Sequence, residues 1–491
     1  MHPSRRGSRW VAAAILFVTF TSALSHARPA FAHAIVESTE PAIDETVDVS
    51  PERVVMRFNE PVEVSFGGIR VFDTTGDRVD QGETDHLPDR ADEIAVDLQP
   101  DLADGTYTVA WRVVSADGHP ISEAFVFHVG APGAHPEGIA SRVLNGDDAT
   151  KVAVGIFTGV RWLNFLALLV LAGGAIFLAA VWTRVEETST QRAATEFSRR
   201  LGQMLVVAWW VLVVTTFASL VLQGAVAGGL PLGRAASPAV IRQVLETRFG
   251  IVALAKLGLL LVAAVFWRLS GRPVLAVLRP QSAGAAAAHA PDRGSLVTGV
   301  LLAVGLLATP GLAGHAGTTS PVALNLGSDI LHLVAAATWI GGLIVLVGAA
   351  FPAVKSLSEP EKVKVLAPVV ARFSDLAMIA VAVIVVTGTY RTWTEVGAWR
   401  AFTAAPYGWV LLAKLGVFLP LLALGAINNR WTKPRMERAS DPGGDRAGHA
   451  LGLLKRLVSV EVVLAVVVLG LTAFLVNLPP ARVAAGVTGP F

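Results

Sequence analysis

Three side chains and one backbone amine carry the chemistry that this chain could perform. His33 follows Ala30-Phe31-Ala32, a small-x-small pattern at which secretory leaders are cut. Residues 1–32 read as such a leader, with Arg5, Arg6 and Arg9 ahead of the short apolar run Trp10–Phe20. The competing reading, an uncleaved anchor, asks for a longer run. Cleavage after Ala32 makes His33 the first residue, and its α-amine and imidazole can then close a chelate ring on one metal ion. Further along, Ser115-Ala116-Asp117-Gly118-His119-Pro120 offers a second imidazole and a carboxylate. Three nitrogens and one oxygen in a flattened arrangement suit Cu(II). An α-amine with an ordinary pKa of about 7.7–8 gives up its proton to a metal cheaply near neutrality. The plainer alternative makes Asp117-Gly118 a turn and His119 a surface residue; spacing leaves both open.

Composition narrows the rest. The 491 residues are 53% hydrophobic and 16% charged, with a mean hydropathy of +0.57, too apolar for an ordinary soluble protein. There is no cysteine, which excludes disulfides, Cys-type zinc sites, iron–sulfur clusters and thiol nucleophiles. Met1, Met56, Met204, Met378 and Met436 are scattered, against a thioether-rich Cu(I) site. No Gly-x-x-x-x-Gly-Lys-Ser/Thr motif supports ATP-driven pumping. The net charge of +2 says little, and no nucleic-acid partner is expected.

The elements that must position these groups fall into two domains. Across 33–130, short β-prone runs at Arg53–Phe58, Gly68–Phe72, Ile94–Leu98, Thr106–Val114 and Glu123–Val129 alternate with turn signals such as Thr75-Gly76-Asp77 and Ala103-Asp104-Gly105. This spacing predicts an all-β sandwich, immunoglobulin- or cupredoxin-like. Residues 131–150 read as a linker. From 151 to 480, eight apolar segments of near spanning length predict an all-α transmembrane bundle, at about 152–182, 203–228, 249–267, 295–314, 325–351, 373–393, 406–427 and 457–478. Residues 481–491 form a tail.

The bundle repeats itself. Phe249-Gly250 through Lys256-Leu257-Gly258 recurs as Tyr407-Gly408 through Lys414-Leu415-Gly416, 158 positions on. Gly173-Gly174 parallels Gly341-Gly342, and Val213-Val214-Thr215 parallels Val385-Val386-Thr387. Four helices per unit make the two repeats parallel, an arrangement that recurs in transporters. Export of the β-domain puts four connecting regions inside, and these hold nineteen Lys and Arg against six outside. The positive-inside rule therefore agrees with the leader.

Polar residues in the bundle need a reason. His315 stands at the outer end of the fourth segment, and Asp329 and His332, three apart on one helix face, begin the fifth. Ionisable groups at membrane depth are functional candidates, so His315, Asp329 and His332 are a candidate path. The alternative is a loop histidine and an interhelical hydrogen bonder. Lys256, Lys414 and Glu461 are deep enough to need partners, and Arg161 with Trp162 interrupts the first segment. They read as buried ion pairs that fix helix register, or as the lining of an ion route.

Residues 33–130 resemble the copper resistance protein CopC. The likeness rests on the His-Ala start, Glu37 and Pro41, Phe58-Asn59-Glu60-Pro61-Val62, and Val114-Ser115-Ala116-Asp117-Gly118-His119-Pro120. It implies Cu(II) held by His33, Asp117 and His119, without the Met-rich second site of some members. Residues 151–478 resemble the membrane protein CopD through Asp329-x-x-His332, Trp339-x-Gly341-Gly342, Arg372-Phe373-Ser374, Thr387-Gly388-Thr389-Tyr390, Tyr407-Gly408, Lys414 and Asn429-Arg430. It carries over no membrane ligand set. The whole resembles a bacterial CopC–CopD fusion. That implies a non-enzyme that captures Cu(II) outside the cytoplasmic membrane and passes it to the bundle for transport, as uptake. The partners are copper and the lipid bilayer, with a homo-oligomer or a cytosolic copper acceptor left open. Two rivals stand beside it: a copper monooxygenase built on an N-terminal histidine, whose oxygen position Asp117 would crowd, and a copper buffer or sensor without transport.

The leader reading has a direct check. Sequencing the purified protein from its front end is expected to return histidine at the first cycle, then Ala34 and Ile35.

Overall fold

The computed structural model describes residues 34–116, 118–133, 148–185, 190–269, 293–432 and 445–484. The leader, His33, Asp117 and most of the linker lie outside the described residues.

Eight strands build the first domain: β1 (Val36–Glu40), β2 (Thr46–Val47), β3 (Arg53–Phe58), β4 (Val62–Phe72), β5 (Asp80–Leu87), β6 (Arg90–Leu98), β7 (Gly105–Ser115) and β8 (Pro120–Val129). They form two four-stranded sheets, ordered β1-β3-β6-β5 and β2-β8-β7-β4. Alternation drives the stacking. In β3, Val54, Met56 and Phe58 point inward while Arg53 and Arg57 face out. Ile94 and Val96 join them from β6, and Ile69, Val109, Trp111 and Phe127 meet them from the other sheet. Trp111 sets its ring edge-on to Phe58 at 5.5 Å. The five expected runs all lie in strands. The three missed strands are β1, β2 and β5. β1 and β5 are edges of their sheet and mostly polar, so period-2 alternation does not reveal them.

Eight helices long and apolar enough to cross a membrane follow. They are α1 (Asp148–Ala180), α2 (Gln191–Gly228), α3 (Arg248–Leu269), α4 (Arg293–Ala313), α5 (Val322–Ala353), α6 (Glu359–Val396), α7 (Pro406–Ile427) and α8 (Asp445–Leu475). α2 and α6 begin well before their apolar runs because caps hold their first turns. Thr190 accepts from the Ala193 N–H, and Ser358 with Glu361 forms a capping box. Hydropathy sees the greasy part of such helices and misses the rest. Arg161 and Trp162 do not interrupt α1, which runs unbroken through them.

The repeat has a structural seam. α1 and α5 cross where Gly173 faces Gly341, the paralleled glycines. A Cβ on Gly341 would lie 2.9 Å from the Gly173 Cα. Only glycine lets two backbones approach this closely. α5 widens to π turns at Ala337–Gly341 and again at Leu346–Ala350. Around this crossing lies the bundle core, with Leu168, Leu169, Leu306, Leu346 and Val369 buried.

The crossing predicts its own sensitivity. Gly341→Val is expected to lower the thermal midpoint of the detergent-solubilised protein and its yield of monodisperse material. The cost is about 1–3 kcal/mol or more for overpacking a close-packed contact. Gly155→Val, on α1 with nothing within 4 Å of its Cβ position, is expected to behave as wild type.

Candidate metal centre

The β7–β8 turn is built to be presented. Ser115 N–H donates to the His119 carbonyl at 2.9 Å, and Gly118 N–H donates to the Ser115 carbonyl at 2.8 Å. Gly118 sits at φ +87°, a left-handed conformation that favours glycine. The turn lands on the bundle. Gln223 of α2, itself buried, donates to the Gly118 carbonyl at 2.7 Å. His119 Nε2 donates to the carbonyl of Val476, just past α8, at 2.9 Å. That bond fixes the tautomer in which Nδ1 is the basic nitrogen.

The whole sandwich is held in this pose. Arg112 of β7 donates from Nε to the Ala227 carbonyl and from Nη2 to the Val226 carbonyl, both at 2.8 Å. Beside it Arg248 N–H donates to Glu63 Oε1 at 3.4 Å. Glu63 Oε2 is buried with no hydrogen-bond partner among the described residues. Burial pushes the Glu63 carboxyl above the ordinary carboxylate range, against the Arg248 N–H and the charge of His86, which pull it down.

Under the turn opens a cavity of about 270 Å³. At its mouth the rings of His119 and His315 meet edge to face, centroids 5.0 Å apart. His315 begins a single 3-10 turn between α4 and α5. Arg248 pins that turn, donating to the Leu312 carbonyl at 2.8 Å and the Gly317 carbonyl at 2.7 Å. Asp329, His332, Lys256 and Lys414 line the same cavity. Asp329 is buried in an ion pair with Arg391 of α6.

His332 lies 2.8 Å from Thr387 Oγ1 through Nδ1. The Thr387 hydroxyl proton goes to the Val383 carbonyl at 2.7 Å. The threonine therefore accepts, and His332 Nδ1–H donates. Among the described residues Nε2 is left as an unengaged acceptor, on a side chain that lines the cavity.

The first half of the bundle answers with the same frame and different chemistry. Asn164 stands 168 positions before His332, the same offset that separates Gly173 from Gly341. Its amide donates to Thr215 Oγ1 at 2.7 Å, and Thr215 donates to the Val211 carbonyl at 2.6 Å. Lys256 Nζ donates to Asn164 Oδ1 at 2.6 Å. Reading the sequence missed Asn164. The signal was there in the repeat, which sets Arg161 against Asp329 and Asn164 against His332.

Of the two readings of the buried ionisable groups, register-fixing ion pairs or the lining of a route, the first finds no support at the lysines and Glu461, while Arg161, Lys256 and Lys414 line the cavity. Lys256, Lys414 and Glu461 form no ion pairs among the described residues. Lys256 bonds a neutral amide, and buried Glu461 accepts from Asn428. Arg161 donates to Asn477 Oδ1 at 2.5 Å and lies 4.1 Å over the Phe157 ring. Close-packed helices offered amides and carbonyls where charge pairing was expected. His33 and Asp117 lie outside the described residues. At the start of the tail Ala481–Ala484 is helical and buries Arg482, which donates to the Thr394 carbonyl at 3.2 Å.

Comparison with known proteins divides the chain in the same way. Residues 36–130 match the CopC domain, residues 152–323 the copper resistance protein D-like N-terminal domain, and residues 367–475 copper resistance protein D. The copper transport protein CutJ of Bacillus subtilis is 28% identical over 428 residues, covering 86% of this chain and 71% of that protein. Copper resistance protein C of Escherichia coli is 32% identical over 111 residues, covering 20% of this chain and 83% of that one. Copper resistance protein D of Pseudomonas syringae pv. tomato is 29% identical over 157 residues, 32% of this chain and 49% of that one. Among solved structures, CopC from Methylosinus trichosporium OB3b is 32% identical over 21% of this chain and 98% of that one, with a TM-score of 0.18.

Docking of the sandwich can be measured directly. With no native cysteine, one introduced spin label per domain reports the distance between them. Arg112→Ala removes two charge-assisted hydrogen bonds and is expected to cost about 2–3 kcal/mol of docking, seen as a broadened distance distribution. A carboxyl whose pKa rises on docking favours the docked state at low pH and loses that contribution as pH climbs through the raised value. Wild-type docking is therefore expected to loosen as pH rises from the ordinary glutamate pKa of about 4.3 through the raised value, and Glu63→Gln to abolish that dependence.

Proposed function

This chain belongs to the copper resistance proteins that carry a CopC domain followed by a CopD membrane unit, and from that premise we propose that it takes up copper by direct hand-off. The β-domain faces the outside of a bacterial cytoplasmic membrane. It captures Cu(II) with the α-amine and imidazole of His33, the Asp117 carboxylate and His119. The ion then moves to His315 and on to His332 inside the bundle.

One observation carries this reading: His119 and His315 meet at 5.0 Å between ring centroids, at the mouth of a cavity that His332 also lines. A domain already docked at the mouth needs no diffusional search, since its effective concentration is set by contact. Transfer is a ligand exchange. A bond from copper to a His315 nitrogen forms as a bond to an outer-domain ligand breaks, with no change in electron count. His332 suits the next station, because Thr387 orients its ring and leaves Nε2 basic. Asp329, tied to Arg391, steadies the start of α5 and is not a ligand in this scheme. The relatives named above are copper transport and resistance proteins, which favours carriage over catalysis.

The test measures cell copper after induction of the full chain. His315→Ala and His332→Ala are each expected to cut the induced gain in copper about tenfold or more, the usual consequence of losing a ligand or its support. Both variants should keep the wild-type Cu(II) electron paramagnetic resonance spectrum of the outer site. One residue inserted before His33 should change that spectrum by removing the amine nitrogen. Copper gain unaltered in both His variants would overturn the hand-off. Copper falling on induction would overturn uptake.

A further inference from the structure

The cavity carries more positive charge than a copper path would be given. Four cationic side chains line it, Arg161, Lys256, Arg391 and Lys414, against two carboxylates, Asp329 and Glu395. Both carboxylates sit on the Arg391 side. Asp329 is paired with Arg391, and Glu395 shares a side pocket with Arg391 and Arg482. The two lysines are left without a counter-charge. Lys256 is 7% exposed and spends one of its three N–H groups on Asn164. Lys414, its repeat equivalent, has no hydrogen bond or ion pair among the described residues.

Buried charges are ordinarily paired, and at membrane depth almost without exception. Lys256, buried on α3, and Lys414, half-buried at the matching place on α7, face one cavity and are therefore short of an anion. The protein does not supply it among the described residues. We propose that this cavity binds a small anion, a halide or a short carboxylate, between Lys256 and Lys414. The site stands independently of copper, and its test is run without copper. Beside a copper path, such an anion would offset the repulsion between the lysines and a passing cation.

The probe is chloride, with acetate as the second arm. The full chain is purified in detergent, stripped of metal with a chelator, and titrated with sodium chloride replacing sodium gluconate at constant ionic strength and pH. Chlorine-35 NMR linewidth and the thermal midpoint are read together. Binding to the folded state alone raises the midpoint by mass action, so a saturable rise and a saturable broadening are expected. If acetate abolishes the broadening, the two anions share the site; if it does not, the site is a halide site. Lys414→Met is expected to weaken chloride about tenfold or more, and Lys414→Arg to retain it. Lys362→Met, on the far side of α6 in a surface pair with Glu359, should behave as wild type. Broadening that never saturates in the wild-type protein overturns the proposal whatever the variants do. So does equal affinity in a folded Lys256→Met, Lys414→Met double variant.

Discussion

A guanidinium capping the end of a transmembrane helix holds the sandwich against the bundle. The last carbonyls of a helix have no intrahelical partner. At the end of α2 the chain turns left-handed at Gly229, and Arg112 reaches across from the sandwich to take the carbonyls of Val226 and Ala227. A charged donor on two orphan acceptors is a strong bond in a half-buried setting. Because Arg112 and the β7–β8 turn share one strand and its hairpin, fixing the arginine fixes the turn. Gln223, one helical turn back along α2, then receives Gly118. Contacts on either side of the turn, together with the bond from His119 Nε2 to the Val476 carbonyl, bring His119 to His315.

Beneath the turn, the bundle shows how a duplicated scaffold acquires direction. Both halves keep the glycine crossing, the threonine that returns its proton to the preceding turn, and the lysine. They differ at the residue the threonine orients: an amide in one half, an imidazole in the other. Asn164 Oδ1 is spent on Lys256, whereas His332 Nε2 is left open. The frame is shared because packing two helices backbone to backbone is demanding and tolerates little variation. The chemistry differs at the side chain beyond the threonine, which lines the cavity in both halves.

Much of this was legible in the residues and some was not, for reasons that can be named. The central strands showed because Val54, Met56 and Phe58 alternate with charge. The edge strands β1 and β5 did not, because an edge that keeps both faces wet has no apolar period to read. Eight spans followed from hydropathy, yet their capped, charged beginnings did not. His315, Asp329 and His332 were visible as ionisable groups in an apolar setting, and all three line one cavity. Their roles separated only when partners were seen: Arg391 occupies Asp329, and Thr387 orients His332. Asn164 stayed hidden because a lone amide in a helix carries no signal until its repeat partner is found.

The charge in the cavity constrains how any cation passes. A doubly charged ion entering a low-dielectric space beside two lysines meets repulsion that falls only with distance or with neutralisation. The two histidines are suited to this, since a neutral imidazole binds a metal without adding charge of its own. The carboxylate that could have attracted the ion, Asp329, is instead held by Arg391. Attraction by the wall is therefore not what draws copper inward along the proposed route. The steep attraction lies outside, in the amine, imidazoles and carboxylate assigned to the outer domain. In the proposed scheme the bundle contributes the ring nitrogens of His315 and His332, in a cavity whose lysines are balanced by something other than the metal. The proposed route, with amine, imidazoles and carboxylate gathered at its entrance and single histidines within, is the arrangement that favours capture at low supply and release from the interior stations.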